Sequence, residues 1–214
     1  MVGESYQAAY DVLWITRRLE SVIDGVTTAE VHLLAYVACL LTIYRRLPAT
    51  DWGYGFIRSQ WGAPFSAAID GALNGLLGSG FLVSRREVVI TSSSGRQFVE
   101  FLAGVAEHEW RTQFLDGACS SVLAMPIGSV RDALHQEPSM RRSRVHKQPR
   151  TLLGTSEDAL YQQFGSLSDV IGLGVADLMI PSVVWLTYLS EMQRLDLERV
   201  ADETNALDEA DRSA

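Results

Sequence analysis

The chain has 214 residues, 47% hydrophobic and 21% charged, and a net charge of −8. That apolar content excludes a disordered chain and provides for one substantial core, or for a small domain with a helical extension. The acidic balance excludes a protein that coats nucleic acid over its whole surface, while leaving room for a local basic patch.

Residues 4–24 read as a first helix. Tyr6, Ala9, Tyr10, Leu13, Trp14 and Ile23 fall close to helical spacing, with Arg17, Arg18 and Glu20 largely elsewhere. The opening GESYQAAYD has no basic region leading into an apolar run, so no signal peptide is expected. An aromatic face this dense docks on the domain's own core or on a second subunit, which makes Tyr6, Tyr10 and Trp14 candidate partner-binding residues. Gly25 ends the helix, and Thr27-Thr28-Ala29-Glu30 is a capping-box pattern. The helix it starts, 28–46, is apolar almost all round and should be buried on every side at the centre of the domain. Its apolar stretch, Val31–Tyr44, is shorter than a bilayer span requires. His32 has no His or Cys at i+3 or i+4, so it reads as a capped or exposed helical residue rather than a metal ligand.

The following stretch, ATDWGYGFIRSQWGAP, holds Trp52, Tyr54, Phe56 and Trp61 among glycines. No strand feeds its GxG, so nucleotide binding is not supported. A short helix is expected around Gly55–Gln60, with the aromatic rings as core plugs in preference to a partner surface. Pro64 then opens a helical pattern in which Phe65, Ile69, Leu73, Leu76 and Leu77 share a face, and Gly78 and Gly80 stop it. Phe81, Val83, Val88 and Ile90 alternate with polar residues around the turn Arg85-Arg86-Glu87, which gives a two-stranded hairpin. Helix, hairpin and a further helix from Ser93 or Ser94 make the second half of a winged helix, with residues 54–62 and 64–78 as its helix-turn-helix. The helix meant for a DNA groove turns Ser66, Asp70 and Asn74 outward, and no Arg or Lys lies between Arg58 and Arg85. Base readout asks for basic or amide groups there, so protein contact is the better expectation. Arg85, Arg86 and Arg96 remain candidate phosphate contacts.

From Ser94 a helix is expected to run through Phe98, Phe101, Leu102, Val105, Trp110 and Phe114, with Glu107, His108 and Glu109 on its solvated side. Neighbouring helical residues point about 100° apart, so His108 and Glu109 do not make a metal pair. Leu115-Asp116-Gly117 reads as a break before a helix over 118–135 that Pro126 kinks or restarts. Cys39 and Cys119 both lie in apolar helical patterns, which points to buried thiols in a reducing cytoplasm. Residues 136–155 lose apolar content and read as a basic linker or loop, in which Arg141, Arg142, Arg144, Lys147 and Arg150 are candidate nucleic-acid contacts. Beyond it, residues 156–200 form a C-terminal helical segment with Leu160, Tyr161, Phe164 and Leu167, then Trp185 and Tyr188 as further candidate partner contacts. Val170–Leu189 has the length of a membrane span, but Asp177 and Pro181 within it favour a buried helix pair. Residues 201–214 read as an acidic tail.

The expected fold is mainly α: a winged-helix core over 1–135 with a two-stranded wing, plus the helical extension. The sequence contains no G-x-S-x-G, C-x-x-C, H-E-x-x-H or G-x-x-x-x-G-K, and no catalytic residue, metal or cofactor is assigned. The stretch LLGSGFLVSRREVVITSSSG, with the buried helix before it, resembles the small middle components of bacterial ABC-three-component and Lamassu-type antiphage systems. The resemblance covers residues 28–102 and carries over no functional residue. It implies a non-catalytic winged-helix subunit whose partner is a larger ATPase related to structural-maintenance-of-chromosomes proteins, with DNA contacted through the complex. The other expectation is a transcriptional regulator that binds DNA through the same winged-helix unit, aided by Arg141–Arg150.

Overall fold

The fold is arranged around helix α2 (Thr28–Tyr44), and the computed structural model describes residues 5–144, 151–153 and 158–212. The capping box forms as its sequence dictates. The Thr27 hydroxyl accepts from the Glu30 N–H at 3.3 Å, and the Glu30 carboxylate accepts from the Thr27 N–H at 2.8 Å. Every residue from Val31 to Tyr44 is buried. The helix is enclosed by α1 (Tyr6–Leu19), α3 (Ala67–Gly78), α5 (Ala106–Ala124), α8 (Asp158–Ile171) and α9 (Met179–Arg212). At about 1.5–3 kcal/mol for each large apolar side chain buried, α2 is the main source of hydrophobic stabilisation. Helix makes up 68% and strand 9% of the structure, which is mainly α as expected. One continuous set of buried side chains runs from Tyr10 through α2 to Leu189. Among the described residues no helix is long and apolar enough to cross a membrane.

Two small antiparallel sheets flank this core. In the first, β1 (Val26–Thr27), β5 (Val88–Thr91) and β4 (Leu82–Arg85) lie in the order β1-β5-β4, with Val26 opposite Val89 and Val83 opposite Ile90. The hairpin was legible from its alternation. Arg86 takes φ 58° to close the two-residue turn. Helix α1 stops at Leu19 rather than at residue 24, because the chain must turn to lay β1 beside β5. The second sheet has the order β3-β2-β6, from β3 (Pro64–Phe65), β2 (Phe56–Arg58) and β6 (Thr151–Leu152).

This second sheet overturns the expected helix over 55–60, and with it the assignment of 54–62 as half of a helix-turn-helix. Two glycines, Gly53 and Gly55, precede only a few residues there, too short a run to nucleate a helix, while Ile57 gains backbone partners on both sides and Phe56 and Arg58 on one. Pro64 and Phe65 belong to β3, and Ser66 at the N-cap position precedes α3. The buried face of α3 is Ile69, Ala72, Leu73 and Leu76. Gly71 lies on its exposed face, and a methyl group added there meets nothing within 4 Å. Gly71→Ala should raise stability by about 0.5–1 kcal/mol, read as a higher urea midpoint at unchanged slope.

The expected single helix from Ser94 to Phe114 is two helices, α4 (Ser93–Ala103) and α5, divided at Gly104 and Val105. Conversely, α5 runs unbroken through Leu115-Asp116-Gly117. Gly117 is there for closeness: an added Cβ would lie 2.7 Å from the Leu178 Cβ and 3.1 Å from a Leu41 methyl. Pro126 restarts the chain as α6 (Ile127–Leu134). The expected basic linker is also corrected. It carries α7 (Pro138–Arg144), with Ser139, Met140 and Ser143 buried, and strand β6. Glu137 anchors α7 by accepting from the N–H groups of Ser139 at 2.8 Å and Met140 at 2.7 Å. Helix α9 begins two residues before Pro181, which sits in the first turn where its missing N–H costs nothing, and it continues to Arg212 through the expected acidic tail.

Candidate functional site

The most polar point of the interior is a buried ion pair between α1 and α5. Arg111 donates to both oxygens of Asp11, Nε at 3.0 Å and Nη2 at 2.5 Å, and its Nη1 donates to the Trp52 carbonyl at 2.7 Å. The guanidinium stacks 3.8 Å over the Trp52 ring, and Tyr54 donates its hydroxyl to Asp11 at 2.5 Å. Burial pushes the Asp11 carboxyl above its ordinary value, and the bidentate guanidinium and the Tyr54 hydroxyl oppose that rise. Burial disfavours the charge on Arg111, and Asp11 more than compensates, so its proton is held more tightly than usual. The Tyr54 hydroxyl is pushed well up by burial and stays a neutral donor. With Asp11 and Arg111 both fully buried, the centre is closed to substrate and works as a clamp joining α1, the turn Ala49–Trp52 and α5. Sequence reading missed it because the two residues lie 100 positions apart. The aromatic density around them was the available signal.

The candidate partner residues separate. Tyr6 is exposed in the first turn of α1. Tyr10 is buried, its hydroxyl 2.6 Å from the Thr112 hydroxyl and its ring stacked on His108 at 4.1 Å. Trp14 is half-buried and donates to Asp116 at 3.0 Å. Trp185 is 2% exposed and packs on Phe164, whereas Tyr188 is half exposed on the outer side of α9. Tyr10 and Trp185 are therefore corrected from partner contacts to core. The same holds for His108, expected on a solvated face, because its helix turns that side toward α1.

The candidate phosphate contacts also divide. Arg85 and Arg86 are exposed at the hairpin tip. Arg96 is matched by Glu20 at 2.9 Å, and Glu20 also accepts from the Thr91 N–H at 3.2 Å, so this cation ties α4 and β5 to the end of α1. On α7, Arg141 pairs with Asp196 of α9 at 3.6 Å, while Arg142 and Arg144 are exposed. Lys147 and Arg150 lie outside the described residues. Among the described residues no group of three His, Cys, Asp or Glu side chains is arranged to hold a metal ion. Cys39 and Cys119 are free and buried, their thiols pushed far up by desolvation.

His32 is buried, contrary to expectation. Its Nδ1 accepts from the Ser66 N–H at 3.2 Å, which requires a neutral ring and fixes the entry to α3. Burial lowers its pKa from 6.5 to about 4. The unfolded chain takes up this proton near pH 6.5 and the folded chain only near 4, so the contribution to stability is full above pH 6.5 and falls by about 3 kcal/mol as the pH drops to 4. Glu137 acts in the opposite sense. Burial raises it from 4.5 to about 6, which returns about 2 kcal/mol as the pH falls through that interval. His32→Gln should therefore lose about 3 kcal/mol less than the parent between pH 6.5 and 4 in urea titrations. Parallel curves for the two proteins would refute the assignment.

Three open grooves lie on the described surface. A groove of about 390 Å³ lies between Trp14, Arg17, Arg18 and Ser21 of α1 or just beyond it and Val99 and Glu100 of α4. Another of about 390 Å³ follows the second sheet beside Tyr54, Phe56 and Leu152. A third, of about 370 Å³, is the most apolar and runs between α8 and α9, walled by Leu167, Val170, Val184 and Tyr188. No family model, curated protein or solved structure matches this chain.

Proposed function

We propose that the protein is a non-catalytic subunit that docks on a larger partner protein through α8 and α9. The observation that carries this reading is the apolar groove between those helices. Val170 is 85% exposed, and Val184, Tyr188 and Leu195 extend the same apolar exposure along α9. A concentration of exposed aliphatic and aromatic side chains on two adjacent helices is the usual mark of a protein interface. The resemblance over residues 28–102 supplies the class of partner, an ATPase related to structural-maintenance-of-chromosomes proteins in an antiphage complex.

The finer reading of the fold belongs with this proposal. A winged helix orders its strands with the first beside the last, as in β1-β5-β4, and places its third helix directly before the hairpin, as α3 is placed. On this reading α1, α2 and α3 are its three helices, with residues 45–66 inserted between the second and third. A DNA-binding regulator is the second reading, favoured by Arg85 and Arg86, which are exposed at the hairpin tip with no ion pair among the described residues. The exposed side of α3 weighs against it, since Ala67, Asp70, Gly71, Asn74 and Gly75 offer no cation.

The test is co-expression of the full chain with the products of adjacent genes, followed by size-exclusion chromatography. The parent chain should elute with the ATPase, and Val184→Glu with Tyr188→Glu should elute alone while unfolding at a similar temperature. Co-elution that survives both charges, or no partner at all, defeats the docking proposal. Salt-sensitive duplex binding that disappears in Arg85→Ala with Arg86→Ala would establish the regulator instead.

A further inference from the structure

The second sheet carries a feature that docking does not use. Strands β2 and β3 are joined by a tight turn over Ser59–Gly62, closed by the Gly62 N–H donating to the Ser59 carbonyl at 3.0 Å and the Ser59 N–H donating to the Ala63 carbonyl at 2.8 Å. Gly62 takes φ 82° in that turn. The turn holds Trp61 out from the body of the protein, 84% exposed, the most exposed aromatic side chain among the described residues. A ring this large is normally covered.

Basic side chains gather at the base of the same turn. The Arg58 Nη2 and the His135 ring come within 3.0 and 3.4 Å of the position a Gly62 Cβ would occupy, so both groups close over the turn from opposite elements, β2 and the end of α6. Burial lowers the pKa of the His135 ring and of the Arg144 guanidinium, and the charges of Arg144 on the first and of Arg58 on the second act in the same direction. Neither Arg58 nor Arg144 has a carboxylate partner among the described residues. The Nε of Arg58 and the Nδ1 of His135 are buried without a hydrogen-bond partner. The nearby acid, Asp132, already pairs with Arg131 at 3.1 Å. In a chain of net charge −8, unmatched cations held together are destabilising unless an anion joins them.

We propose that Arg58, His135 and Arg144 bind the phosphodiester backbone of single-stranded nucleic acid, with Trp61 stacking on an adjacent base. Basic side chains beside an exposed aromatic ring are the recognition chemistry of a single strand, whose bases are free to stack; a duplex offers its phosphates but keeps its bases paired. The rigid turn favours this use, because a ring held in place loses little freedom on binding. The site stands on a different sheet from the Arg85–Arg86 hairpin, and it uses Trp61, Arg58 and His135, none of which the sequence singled out for nucleic acid.

The experiment is fluorescence anisotropy of a labelled twenty-nucleotide oligo-dT strand with the full chain, at a series of salt concentrations. Binding should weaken with salt, with a slope of about −1.4 in log K against log salt for the two arginine contacts, the His135 ring adding a hydrogen bond without charge. Trp61→Ala should weaken it about 5- to 150-fold, the range that corresponds to loss of one base stack. Arg58→Ala with Arg144→Ala should reduce both affinity and salt slope, while Arg85→Ala with Arg86→Ala should leave both unchanged. Trp61 and Arg144 are exposed, so variants at these positions should keep the parent unfolding temperature. The proposal fails if the strand does not bind at low salt, or if these substitutions do not weaken it. It also fails if a duplex of equal length binds as tightly, or if vesicles of phosphatidylserine and phosphatidylcholine bind in a Trp61-dependent way while the strand does not.

Discussion

Arg111→Met should lower stability by about 3–5 kcal/mol, the usual result of leaving one charge of a buried pair without its partner. For a chain of this size that corresponds to about 6–20 °C in unfolding temperature. The reason is specific to the geometry. Asp11 is fully buried, and after the substitution only the Tyr54 hydroxyl remains to satisfy it. The Trp52 carbonyl loses its donor at the same time. Asp11→Asn should cost less than Arg111→Met, since the amide keeps most of the shape. The double variant should recover part of the loss, because two neutral groups no longer require a counter-charge. A thermal and urea double-mutant cycle checks this. Additive single effects would mean that the pair is not coupled, and the clamp described here would be wrong. The clamp also predicts where the loss is felt, since it joins α1 to α5 around the aromatic rings of Trp52, Trp110 and Phe114.

Gly95→Ala should be the most damaging small substitution in the chain. An ideal Cβ at this position would sit 2.1 Å from the Phe81 carbonyl oxygen and 2.9 Å from the Thr91 methyl. The Phe81 carbonyl cannot move away freely, because it already accepts from the Ser92 N–H at 2.9 Å. The Gly95 N–H in turn donates to the Ser92 hydroxyl at 3.0 Å as the N-cap contact of α4. One methyl group therefore pushes apart the start of the hairpin and the cap of the next helix together. A loss of about 3 kcal/mol or more is expected, at the upper end for overpacking, with the rise in unfolding rate as a second readout. A change smaller than that of a routine surface substitution would show that α4 does not cross the hairpin this closely. The contrast with Gly71→Ala, the same change with opposite sign, isolates backbone proximity as the cause.

Several elements were legible because their signals are local. The capping box over Thr27–Glu30 satisfies its own donors, and so it marks the start of α2 whatever surrounds it. The alternation through Val83, Val88 and Ile90 produced the hairpin, since its two strands are joined by a two-residue turn. The candidate site was less legible. The sequence groups Trp61 with Trp52 and Phe56 as core plugs, because large rings mostly fill space; Trp52 and Phe56 are buried, but the turn that carries Trp61 points the other way. Arg58 and His135 carried no motif at all. They meet over Gly62 only because β2 and α6 converge there.

Sequence alone determined the mainly helical class, the central helix α2, the hairpin and the two buried thiols. All of these follow from periodicity, caps and composition, which act over a few residues. Tertiary structure alone decided that residues 56–58 form a strand, since its two partners lie at 64–65 and 151–152. It decided that α5 passes through Gly117 because Leu178 needs the room, and that Tyr10, His108 and Trp185 face inward. It also brought Asp11 to Arg111, and Arg58 to His135. The physical reason is common to all of these. A repeating pattern says which side chains share a face, but what covers that face is a second segment, and its position follows from the packing of the whole chain.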